Sequence, residues 1–265
     1  MTVIQSIIIA IVEGITEFIP ISSTAHMRIT ENLLGLSNTD KFIEVFTVAI
    51  QLGAIISVVV LYWKKFFDFK RLIFYVKLLV AVIPALIFGK LFKDQIDMIL
   101  ETPWIIAIIM LAGGIVLLFV DNWFTKPTIN DEKQIGLLTS FKIGLFQCLS
   151  ILFPGLSRSA ATIIGGMSLR LSRSVAAEFS FFLAVPTMLA ATVYTLYKYT
   201  KENGAFTHEQ INLLAIGNVV AFIIALIAIK FFIAFLKKYG FRIWGVYRII
   251  VGIILLIFIW QGIIK

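Results

Sequence analysis

Charge is what this sequence has least of. Only 14% of its 265 residues are Asp, Glu, Lys or Arg, against 60% hydrophobic, and the mean hydropathy is +1.00. A soluble domain carries nearer a quarter charged residues, so this composition belongs to the membrane class. Cysteine is down to one, Cys148, which excludes a disulfide within the chain and leaves the compartment unread. Histidine is down to two, His26 and His208, which speaks against an acid–base pair of histidines. No basic n-region precedes the first apolar run, Val3 to Val12, and Glu13 stands where a cleavage site would fall. That run reads as a re-entrant or interfacial half-helix rather than a signal peptide. No basic groove with stacking aromatics lies outside the apolar runs, so the net charge of +8 does not point to nucleic acid.

What the chain has is long apolar runs. A helix needs about 20 residues to cross a ~30 Å hydrocarbon core. Six runs qualify, at roughly 43–62, 73–92, 103–124, 178–197, 211–235 and 243–262. Lys64, Lys65, Lys70, Arg71, Lys126, Lys133, Lys142, Arg170, Arg173, Lys237, Lys238 and Arg242 fall on one face if the spans alternate and 143–177 enters and leaves on one side. The other face then keeps Arg28, Lys41, Lys90, Lys93, Lys198, Lys201 and Lys265. The positive-inside rule makes the first face cytoplasmic and puts residues 1–42 outside. Trp63, Trp104, Trp123 and Trp244, at span ends, read as interfacial belt residues.

Polar residues are conspicuous against this background in "VEGITEFIPISSTAH", residues 12–26. Sliding the chain by 134 residues pairs Glu13 with Gln147, Pro20 with Pro154, Ser23 with Ser157, Glu44 with Glu178 and Lys64 with Lys198. The charge pattern puts the two copies on opposite sides, the mark of an inverted repeat whose broken helices meet at one site near the midplane. Repeat one covers about 1–130 and repeat two about 135–265, within a single domain of residues 1–265. Glu44 and Glu178 read as ties between helix ends and stay outside the site.

Glu13 and Glu17, four apart, share a helical face that Pro20 ends. Ser22, Ser23 and Thr24 then offer hydroxyls and backbone N–H groups where a helix can start, a favoured place for an anion, although small hydroxyls also simply cap helices. His26 lies within a turn and can carry a proton. In the second copy Pro154-Gly155 breaks the chain, and Ser157, Arg158 and Ser159 form a phosphate cradle with one permanent cation. Two carboxylates beside a phosphate repel it unless one is protonated or a divalent cation intervenes, so Mg²⁺ or Ca²⁺ on Glu13 and Glu17 is implied. Gln51 and Arg248, inside spans, read either as substrate-binding groups or as glue between helices.

These motifs resemble the bacterial undecaprenyl-diphosphatases of the bacitracin-resistance type. The resemblance covers most of the chain: Glu13-Gly14 through Glu17, Pro20, Ser22-Ser23-Thr24 and His26, "VAIQLGAI" from Val48, Pro154-Gly155 with Ser157-Arg158-Ser159, and "YRIIVG" from Tyr247. It implies an all-α polytopic enzyme of the bacterial plasma membrane with six spans and two re-entrant helical pairs. Its reaction would hydrolyse undecaprenyl diphosphate to the monophosphate and inorganic phosphate on the outer side, recycling the peptidoglycan lipid carrier and conferring bacitracin resistance. The family's essential residues fall on Glu13, Glu17, Ser23, His26 and Arg158, with a divalent cation. Two glycines usual in the motifs are Ala25 and Ala160 here, whose methyls are expected to crowd the phosphates.

The mechanism expected is attack by Ser23 with His26 as its base; attack by His26 with Ser23 orienting the phosphate fits equally. The partners expected are the polyprenyl diphosphate and membrane lipids, with a homodimer allowed. The rival from another class is a transporter or flippase for a lipid phosphate or small anion, since inverted repeats and broken helices are also transporter architecture.

Overall fold

A computed structural model describes residues 1–37, 40–92 and 102–264, so Lys93 and Lys265 of the charge argument lie outside the described residues. The described residues form helices α1 (Val3–Thr16), α2 (Ser23–Leu33), α3 (Lys41–Ala49), α4 (Gln51–Leu61), α5 (Trp63–Phe66) and α6 (Leu72–Leu91). They continue as α7 (Pro103–Trp123), α8 (Leu137–Leu152), α9 (Arg158–Ser168), α10 (Arg173–Asn203), α11 (His208–Tyr239) and α12 (Arg242–Trp260). Among the described residues, six helical stretches are long and apolar enough to cross a membrane: Lys41–Leu61, α6, α7, α10, α11 and α12. Each coincides with one of the six runs expected.

The first span is interrupted at Ile50. Gly53, the third residue of α4, donates its N–H to the Asn218 side chain of α11 at 2.7 Å instead of to a helical carbonyl. Insertion of a side chain into the ladder breaks a helix at that turn.

α1 and α8, of 14 and 16 residues, rise only about 21 and 24 Å at 1.5 Å per residue, too little to span. Each packs against the helix that follows it, α1 on α2 and α8 on α9. α1 also packs on α11 and α8 on α6, while α7 pairs with α12 and α4 with α10. Exchanging the halves of the chain maps this set of pairings onto itself. The connections differ by one residue, however: residues 17–22 against 153–157. Ser22 and Ser157 therefore occupy the same structural place, each an N-cap with positive φ (71° and 75°) whose hydroxyl accepts from a backbone N–H three residues on, Ala25 and Ala160. The offset of 134 had paired Ser157 with Ser23; the structure corrects the pairing to Ser22 and sets Arg158 against Ser23.

An aromatic core of Phe18, Phe74, Phe179, Phe181 and Phe182 packs under the first connection, Phe18 meeting Phe181 edge-on at 5.4 Å. Glu178 does tie helix ends, pairing with Lys65 at 3.1 Å, and Arg71 pairs with Glu132 at 2.9 Å in the same network. Trp63, Trp104 and Trp123 are exposed as belt residues should be, but Trp244 packs inward against Phe232 and Phe235.

Candidate active site

The two connections meet. Glu17, in the first, is nearly buried, and both its oxygens are engaged: Oε1 accepts from Arg158 Nη2 at 3.1 Å and Oε2 accepts from the Ser23 hydroxyl at 2.7 Å. Arg158 also donates from Nη1 to the Ser180 carbonyl at 3.1 Å, which fixes the guanidinium across the repeat boundary. Its Nε is buried with no partner. Glu13, one turn earlier on α1 and 1% exposed, carries the complementary orphan: Oε1 is buried with no partner. Burial first, and the Glu17 carboxylate next, push the Glu13 carboxyl well above the ordinary range, with Arg158 opposing. A buried acceptor without a donor beside a second carboxylate is what a hard oxygen-seeking cation needs, and one or two carboxylates plus phosphate oxygens make up an ordinary Mg²⁺ donor set. The residues present therefore fit a divalent cation on Glu13 and Glu17.

A cavity of 410 Å³ opens over this floor. Glu13, Ser23, Thr24 and Gln51 line it. Its mouth is formed by charged groups that sequence reasoning left aside, Arg28, Glu31, Lys41, Glu44 and Lys198. Of these, the charge pattern had placed only Arg28, Lys41 and Lys198 together, on one expected face. Glu44, expected to tie helix ends, faces this cavity instead.

Five expectations are corrected. His26 turns both ring nitrogens to other partners, with Nδ1 2.8 Å from the Ser22 carbonyl and Nε2 2.8 Å from the Tyr247 hydroxyl. A carbonyl only accepts, so Nδ1 carries the proton and Nε2 accepts from the phenol. Ser23 is thus bonded to Glu17, not to His26, and the acceptor beside it is a carboxylate. Ser159 is fully buried and donates to the Ile19 carbonyl at 3.1 Å, a strut between connections rather than a phosphate contact. Ser22 and Ser157 spend their hydroxyls on capping. Ala25 points its methyl into an apolar cluster with Ile106, Ala107 and Met110, so it does not crowd the cavity, and Ala160 is likewise buried.

Arg248 is the fifth. It is 0% exposed and donates only to carbonyls: Nε to Met110 at 3.2 Å, Nη1 to Pro20 at 3.2 Å and Leu156 at 2.9 Å, Nη2 to Gly155 at 2.9 Å. It clamps both connections to α7 and touches no open space. Gly113 makes room for it; a Cβ there would collide with the guanidinium.

Tyr247 was missed as a contributor because nothing in a span's apolar pattern marks which phenol reaches an imidazole. Burial, first, lowers the His26 pKa from 6.5; the bond to Ser22 opposes this and Arg248 adds to it. The Tyr247 bond is made only to the neutral ring. Tyr247→Phe is therefore expected to move His26 titration, followed by ¹⁵N NMR, to higher pH. An unmoved titration would mean that the phenol does not hold the ring.

A sequence model of the family described as Bacitracin resistance protein BacA matches residues 6–254. An undecaprenyl-diphosphatase of Flavobacterium psychrophilum is 56% identical over 257 residues, 97% of this chain and 96% of that protein. One of Porphyromonas gingivalis is 50% identical over 280 residues, 99% of each. One of Aquifex aeolicus is 42% identical over 257 residues, 96% of this chain and 97% of that protein.

Proposed function

The chain belongs to the Bacitracin resistance protein BacA family, and from that premise we propose how its site works as an undecaprenyl-diphosphatase. The protein is a multi-pass membrane hydrolase that converts undecaprenyl diphosphate to undecaprenyl phosphate and inorganic phosphate. The reaction returns the lipid carrier to peptidoglycan synthesis and underlies the family's bacitracin resistance.

One observation carries the mechanism: two complementary orphans, the Glu13 Oε1 acceptor and the Arg158 Nε donor, flank the Ser23–Glu17 hydrogen bond. Arg158 Nε is free to meet a phosphate oxygen. Glu13 and Glu17 would hold a divalent cation, Mg²⁺ or Ca²⁺, which when bound offsets the charge of the phosphate oxygens. Ser23 Oγ attacks the terminal phosphorus and gives its proton to Glu17 Oε2. The bond from that phosphorus to the bridging oxygen breaks, and undecaprenyl phosphate leaves. Water then attacks the phosphoserine, inorganic phosphate departs, and Glu17 returns the proton to Ser23. His26, braced between Ser22 and Tyr247, holds the first turn of α2 so that Ser23 faces Glu17.

Charge asymmetry along the chain supports placing this site on the outer side of the plasma membrane, with α1–α2 and α8–α9 as re-entrant pairs of an inverted repeat.

Quenching a turnover with ³²P-labelled substrate and locating the label tests the mechanism. The label is expected on Ser23 and absent in Ser23→Ala. Label on His26 would make histidine the nucleophile; label on neither would leave direct attack by water. Chelation is expected to stop phosphate release and added Mg²⁺ or Ca²⁺ to restore it.

A further inference from the structure

The mouth of the cavity carries charge that the hydrolysis above does not use. Arg28 on α2, Lys41 at the start of α3 and Lys198 on α10 line the same 410 Å³ space as Glu13 and Ser23. α3 packs on α10, so the two lysines come from opposite halves of the chain and meet at one opening. Among the described residues, Arg28 has a long ion pair with Glu31 at 3.7 Å, and neither lysine has an ion pair. Two carboxylates, Glu31 and Glu44, share the lining. Burial, opposed by Arg28, raises the Glu31 pKa to about 7, so near neutrality this carboxyl is only partly charged. The rim is then net positive.

That polarity suits an anion passing between the floor and water. Cations lining a cleft raise the local concentration of an anionic ligand. We propose that Lys41 and Lys198, with Arg28, form an anion-binding vestibule for phosphate, through which inorganic phosphate leaves and at which added phosphate competes with the lipid's diphosphate head. This rests on the diphosphatase reading of the same site and adds the place where its product is held.

The test measures hydrolysis of undecaprenyl diphosphate by the purified full-length protein in detergent against added inorganic phosphate. Variants are Lys41→Gln, Lys198→Gln and the pair, with Lys201→Gln, off the cavity, as control. The pair is expected to raise the phosphate concentration for half-inhibition about tenfold, the factor that 1.4 kcal/mol represents, with kcat and thermal midpoint retained. If half-inhibition is unchanged but the lipid's KM rises by a similar factor, the vestibule serves the lipid-borne phosphate rather than the free one. If neither moves, or if phosphate does not inhibit the intact enzyme, the vestibule is wrong. Phosphate binding is read separately, without turnover, from ³¹P line broadening of inorganic phosphate by wild type and by the pair. Broadening lost in the pair would support the vestibule even if wild type released no phosphate, an outcome that would count against the diphosphatase reading alone.

Discussion

Arg158→Ala is expected to release phosphate from undecaprenyl diphosphate about a thousandfold more slowly than the intact protein. Removing one preorganised donor aimed at developing charge costs on the order of 10²–10³ in rate, and Arg158 is also the cation beside a nearly buried carboxylate. Its loss strands Glu17 and frees the carboxylate to move away from Ser23. Arg158→Lys should restore little, because the donors of an ammonium radiate from one atom and cannot reproduce the fork of Nη1, Nη2 and Nε that reaches Ser180, Glu17 and a phosphate from three nitrogens. Glu17→Gln, which keeps the shape but cannot take the Ser23 proton, is expected to fall by a similar factor. The double variant should be hardly worse than either single one, because groups that act as a unit lose their effect together. Steady-state phosphate release in the four proteins decides it. Losses that multiplied in the double variant would mean that Arg158 and Glu17 act independently, and the shared hydrogen bond would not be the working element.

Arg248→Leu should cost stability first and activity as a consequence. Four carbonyls, at Pro20, Met110, Gly155 and Leu156, would lose their donor inside the protein. Each buried orphan costs roughly 1–3 kcal/mol, so at least about 4 kcal/mol is at stake before relaxation. At about 2–4 °C per kcal/mol for a chain of this size, the thermal midpoint in detergent should drop by about 10 °C or more. Arg248→Lys should recover less than half, since one ammonium cannot reach three separate backbone segments. A variant that melted normally but bound substrate weakly would restore Arg248 to the substrate-binding role that the sequence allowed it.

Much of the candidate site was legible beforehand because its chemistry is improbable in its setting. Carboxylates, an arginine and a run of hydroxyls within apolar sequence are costly at membrane depth, so their presence marked the two connections before any coordinate did. Proline at 20 and 154 marked where the helices stop. Neither signal could say which hydroxyl meets which partner. Ser22, Ser23, Ser157 and Ser159 are alike as residues, and one extra residue in the first connection decides that Ser22 and Ser157 cap while Ser23 reaches Glu17. His26 stands within one turn of Ser23 on α2, yet its two ring nitrogens are taken by the Ser22 carbonyl and by Tyr247 of α12, 221 residues away.

The sequence by itself determined the class and the frame of this protein. Composition excluded a soluble fold, run length set six spans, and motif content identified the diphosphatase, because each depends on residue types and on their spacing along the chain. Only the tertiary structure decided the partners. Glu17 with Arg158 joins residues 141 positions apart, and Arg248 binds carbonyls from three separate segments. Such pairs are fixed by how helices pack and by which buried donor finds which buried acceptor. That matching exists only once the chain has folded back upon itself.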